Sequence, residues 1–152
     1  MGKLVLLALT TIDGCISNLE GIKEWGLKWD IYGVTKIYDE ADTFITERMG
    51  AETVAIIRES IDGYCLYVPE AGMEDFTRQI IEHGLVDELY LYVFSYTVGA
   101  GIPLFSHNIG TSNYWELEEA KVYNKEIVRL HYSRVDIMEN GNQKLSASDD
   151  NF

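Results

Sequence analysis

Few residues in this chain are able to do chemistry, and most of them are carboxylates set among glycine corners. Three histidines, His83, His107 and His131, stand far apart and share no local motif. His107, in a polar stretch, reads as a solvated loop residue. Neither a Cys–His cluster nor an H-E-x-x-H or G-x-S-x-G run occurs, so a short-spacing zinc site has no sequence support and no metal is expected. Cys15 and Cys65 are isolated and read as buried free thiols. Two glycines as close as Gly99 and Gly101, followed by Pro103, mark unusual backbone angles or close approach of another group. Asp13-Gly14 is a turn dipeptide. Gly72 stands among Glu70, Glu74 and Asp75, carboxylates that each stabilise a helix N-terminus by roughly 0.3–1 kcal/mol.

The elements that position these corners are legible from periodicity. Residues 4–9, Leu-Val-Leu-Leu-Ala-Leu, form a continuous apolar run suited to a central strand covered on both faces. Residues 32–40 read as a short helix, followed by a second short strand over 41–46 and a helix over 53–61 with Val54, Ile57 and Ile61 on one face. Residues 64–68 read as a strand. Met73, Phe76, Ile80 and Ile81 have helical spacing over 72–83, and Gly84 reads as that helix's C-terminal cap. Residues 85–98 read as one long buried strand that Gly99 breaks. Residues 114–123 and 127–137 alternate and read as a hairpin.

Strand, helix and long strand make the βαβ pattern of an α/β domain. Val86-Asp87-Glu88-Leu89 and Gly99-x-Gly101-x-Pro103-Leu104-Phe105 resemble a signature of the dihydrofolate-reductase-like superfamily. The branch they resemble is the C-terminal reductase domain of the bifunctional riboflavin-biosynthesis deaminase-reductase (RibD). Thr11-Ile-Asp-Gly14 is similar to that family's loop beside nicotinamide and substrate, and Gly21 with Trp25 to its later glycine-tryptophan element. The resemblance implies a three-layer α/β domain over residues 1–137, with a mostly parallel central sheet, flanking helices and a C-terminal antiparallel hairpin, and then a mobile tail over 138–152. It implies a reductase that transfers hydride from NADPH to a pyrimidine- or pterin-like ring. Asp13 would be the catalytic carboxylate, with Glu88 a weaker candidate. Thr11, Arg48, Gly72, Gly99 and Gly101 would hold the cofactor. Homodimers are common among such proteins.

Three features depart from the family pattern. Glu47 stands where the family has glycine and Gly50 where it has threonine, the middle is shortened, and of a glycine pair only Gly72 remains. Each puts carboxylate where phosphate would sit, or removes part of a cofactor cleft. The alternative reading is therefore a non-catalytic or small-ligand-binding homologue with a degenerate dinucleotide cleft.

The chain has 152 residues, enough for one domain with one sizeable core. A formal charge of −13 disfavours nucleic acid and anionic membrane as partners. No apolar run reaches membrane-spanning length, so a cytoplasmic protein with a small-molecule substrate is expected.

Overall fold

A computed structural model describes residues 2–17, 32–105, 113–123 and 125–135. Gly21, Trp25, His107 and residues 138–152 lie outside them.

The hydrophobic run near the start becomes β1 (Lys3–Thr11), which is buried from its second residue onward. It pairs in parallel with β4 (Tyr64–Tyr67) on one side and β5 (Glu88–Phe94) on the other. A short β3 (Thr43–Phe44) adds to β4 in parallel. Beyond β5 the hairpin of β7 (Ile127–Val135) and β6 (Tyr114–Tyr123) continues the sheet antiparallel. The order is β3-β4-β1-β5-β7-β6, and β2 (Ile16–Ser17) folds back antiparallel on the end of β1.

Alternation along β1 feeds two separate cores, since successive side chains face opposite sides of the sheet. Leu4, Leu6 and Ala8 pack under α2 (Ala51–Ser60) and α3 (Glu74–Glu82), through Val54, Phe76 and Ile80. Val5, Leu7 and Leu9 pack under α1 (Val34–Asp39), through Val34 and Ile37. Helices therefore cover both faces, giving the three expected layers. Each fully buried leucine contributes about 1.5–3 kcal/mol.

Helix α3 ends as Gly84 predicts. The Gly84 amide, at φ 66°, donates to the Ile81 carbonyl, and the Leu85 amide donates to the Ile80 carbonyl, both at 3.0 Å. That is a Schellman closure, with Leu85 folding back into the core.

The single strand expected over 85–98 is shorter at both ends. Residues 85–87 belong to the helix exit, where the Asp87 amide donates to the Leu4 carbonyl at 2.9 Å. Residues 95–98 are exposed and irregular, with Tyr96 and Val98 turned outward. Apolar content alone does not separate a strand from the apolar loop that leads out of it. The strand expected over 41–46 contracts to two residues at the sheet edge.

Candidate functional site

Parallel strands β3, β4, β1 and β5 all end at one edge of the sheet, where α/β folds keep their ligand crevice. The proposed site residues gather there in two adjoining groups.

The first group is the turn after β1. Gly14 takes φ 79°, its amide donates to the Thr11 carbonyl, and the Cys15 amide donates to Thr11 Oγ1 at 3.1 Å. Thr11 is 2% exposed, and its hydroxyl donates to Asp13 Oδ1 at 2.5 Å. Asp13 reaches across to the segment after β5 and accepts from the Gly99 amide at 2.8 Å and the Val98 amide at 3.2 Å. The Thr11 hydroxyl, with the Gly99 and Val98 amides, holds the Asp13 carboxyl down at about 2. Asp13 is thus ionised at neutral pH and ties the two loops together.

Further backbone bonds complete this lacing. Ile12 donates to Tyr96, Ile16 to Ile102 and Leu104 to Gly14, at 2.8, 2.8 and 2.9 Å. Gly101 fits tightly inside it: an added Cβ would lie 3.0 Å from Cys15 Cβ and from Val98 Cγ1. Gly101 is therefore a position where close packing leaves no room for a side chain. Gly99 is different, with φ 82° and open space where a Cβ would point.

The second group lines a cavity of about 520 Å³ at the ends of β3 and β4. Phe44, Leu66, Val68 and Met73 give it apolar walls, and Glu47, Arg48 and Glu70 give it charge. Tyr38 and Phe44 meet at 5.6 Å between ring centroids, and burial together with the Glu70 charge pushes the Tyr38 phenol up. Gly72, between the lining residues Glu70 and Met73 in sequence, has φ 94° and open space beside it. Its amide is not free, however, because Glu74 Oε1 accepts from it at 3.2 Å.

Both open glycine corners therefore have their N–H groups turned to the chain's own carboxylates, Asp13 at Gly99 and Glu74 at Gly72. Strand β1 lies between β4 and β5, so the two groups are borne on neighbouring strands about 4.8 Å apart.

Asp87 and Glu88 are elsewhere, at the start of β5 and the opposite edge of the sheet. Asp87 accepts from the Leu4 amide at 2.8 Å and pairs with Arg58 at 2.9 Å and Arg134 at 3.4 Å. Glu88 pairs with Lys3 at 3.1 Å and His131 at 2.6 Å. Burial opposes the charge on Glu88, but the bonds from His131 and Lys3 outweigh it together and leave its pKa lowered. The Asp-Glu part of the motif is a clamp, and Glu88 lies away from the crevice.

Sequence reading missed the apolar lining of the crevice at Phe44, Val68 and Met73, because single apolar residues at strand ends look like core. It also missed the Glu74 contact, for which a glutamate two residues after a glycine at a helix start was the available signal. Among the described residues, no group of three or more His, Cys, Asp or Glu is arranged to hold a metal.

No protein-family model matches the chain, and no curated protein does. Solved structures do. A protein from Shewanella sp. PV-4, described as a riboflavin-biosynthesis protein, aligns with a TM-score of 0.67 at 14% identity, over 88% of this chain and 99% of its own. The diaminohydroxyphosphoribosylaminopyrimidine deaminase/5-amino-6-(5-phosphoribosylamino)uracil reductase of Thermotoga maritima aligns at 0.61 and 9% identity, over 88% of this chain but 56% of its own. The dihydrofolate reductase of Enterococcus faecalis, solved with NADP(H) and RAB-propyl, aligns at 0.57 and 12% identity, over 88% and 97%. With its three layers, parallel strands β3-β4-β1-β5 and closing hairpin, the chain has the dihydrofolate-reductase-like fold, in the form carried by riboflavin-biosynthesis reductase domains.

Proposed function

We propose that this protein is a reductase of the dihydrofolate-reductase-like type, acting on a pyrimidine- or pterin-like ring with NADPH. One observation carries the reading: the crevice at the ends of the parallel strands is open, with bare space at Gly72 and Gly99 and an apolar wall between Phe44 and Met73. The solved reductases of like fold support it at the level of fold.

The residues fit the cofactor at a cost. Arg48 supplies a cation for a phosphate, and the two positive-φ glycines let a backbone approach closely. Against this, Glu47 and Glu70 share the wall with Arg48, and Glu74 holds the Gly72 amide. The Gly72–Glu74 bond is exposed, and giving it up costs about 0.5–1.5 kcal/mol. Affinity for NADPH is accordingly weaker than an unguarded site would give. The bound nicotinamide would supply hydride. Asp13 would fix the Thr11–Gly14 turn against Gly99 and so set the shape of the ring pocket, and the proton would come from water.

The Glu74 contact specifically favours a second reading, a homologue that binds a small ligand without dinucleotide and without turnover. A titration of tryptophan fluorescence with NADPH separates the two. Saturation at sub-millimolar cofactor, with oxidation of NADPH in the presence of a pyrimidine or pterin substrate, is the result expected of the reductase. No saturation at millimolar cofactor would leave the second reading in its place.

The same proposal includes a homodimer through the β6–β7 hairpin. Its outer strand leaves Leu117 at 51% and Val122 at 68% exposure, which a second copy would cover.

A further inference from the structure

A second cavity, of about 730 Å³, lies on the α1 face of the sheet, between that helix and the β6–β7 hairpin. Its volume is within the range of small-molecule sites. Helix α1 and its two flanking cap residues contribute Gly33, Lys36, Ile37 and Glu40, the i, i+3, i+4, i+7 stripe that puts residues on one helix face. The strands contribute Val5, Glu88, Tyr90, Arg129 and His131. None of these residues belongs to the crevice at the strand ends.

The floor is preorganised. His131 stacks on Tyr90 at 4.2 Å between centroids and 6° between planes, and the Arg129 guanidinium sits 5.9 Å from the same ring. Glu88 pairs with His131, and Glu119 pairs with Arg129. These pairs satisfy each other and hold both strands in register.

After the internal pairs are set aside, the walls keep two cations, Lys36 and Lys121, and two carboxylates, Glu40 and Glu118. Among the described residues none of the four makes a side-chain hydrogen bond or ion pair within 4 Å, although Lys121 lies 5.2 Å over the Tyr123 ring and its charge acts on Glu119. A purely anionic ligand would meet the carboxylates, and a purely cationic one the lysines. An apolar ligand would strip water from all four without replacing it, which is costly for charged groups. A small molecule carrying one charge of each sign meets neither objection.

We propose that this cavity binds a zwitterion of the α-amino-acid class, its carboxylate directed to Lys36 or Lys121 and its ammonium to Glu40 or Glu118. The site is independent of the reductase reading, because it shares no residue with the crevice.

Calorimetric titration of the full chain with each of the twenty common amino acids tests it, with acetate and methylamine as single-charge controls. At least one amino acid should bind saturably and the two controls should not. Lys36→Ala and Glu40→Ala, at exposed positions in α1 and at its C-terminal cap whose folding circular dichroism can verify, should each weaken that binding at least about tenfold. Neither variant should change NADPH binding. The proposal is overturned if no amino acid saturates at millimolar concentration, if acetate or methylamine binds as well, or if affinity survives in both variants.

Discussion

Asp13 shows how far a single carboxylate can be committed by its neighbours. Its folded pKa of about 2 lies below the ordinary 3.8, so the tie it makes is fully present above that ordinary value and is lost as pH falls through about 2. In amide NMR spectra, the Val98 and Gly99 resonances should therefore hold steady from neutral pH to about pH 4 and move together below it. Movement of both near pH 6 would contradict this. Asp87 is committed more deeply, to one amide and two guanidinium groups at 16–29% side-chain exposure. Asp87→Ala strands Arg58 and Arg134 and should cost about 2–4 kcal/mol in urea unfolding. A loss under about 0.5 kcal/mol would show that the clamp contributes little. At Gly101, an added methyl would press on Cys15 and Val98, so Gly101→Ala should lower stability without requiring any change in ligand binding.

At the scale of elements, the strongest periodic signals in the sequence correspond to real secondary structure. The apolar run over residues 4–9 is the core of β1, the 73-76-80-81 spacing is the inner face of α3, and Gly84 closes that helix. These were legible because one physical demand, burial on a fixed period, dictates both the residue types and the geometry. Residues 85–98 were misread at their ends because a long-range contact, Asp87 to Leu4, decides where β5 begins, and nothing local encodes it. The candidate site was half legible. Thr11, Asp13, Gly72 and Gly99 do gather at one edge, but their hydrogen-bond partners lie up to 86 residues away. The packing of Gly101 against Cys15 and the pairing of Glu88 with His131 are likewise tertiary facts that nothing local encodes. A test at this scale is Ile80→Ala in α3. Ile80 is 0% exposed, and the change should cost about 2–5 kcal/mol with no shift of the helix register.

For the whole molecule, the balance lies between an architecture that opens a crevice and a charge of −13 that fills its rim with acid. No helix among the described residues is long and apolar enough to cross a membrane. For the proposed dimer through β6, sedimentation should show a dimer that Val122→Glu dissociates. A monomer at high micromolar concentration would remove the hairpin interface. Neutralising one carboxylate of the crevice should have the opposite sign to most site substitutions. Glu70→Gln should tighten NADPH roughly three- to tenfold at low salt, less at high salt.

The most direct measurement is an amide NMR titration with NADPH that follows Gly72, Gly99 and Arg48 together. A crevice guarded by its own carboxylates predicts saturable shifts at Gly72 and Arg48 as Glu74 gives way, with Asp87 and Glu88 unmoved at the far edge. Shifts confined to that far edge, or none at millimolar cofactor in either wild type or Glu74→Gln, would contradict it.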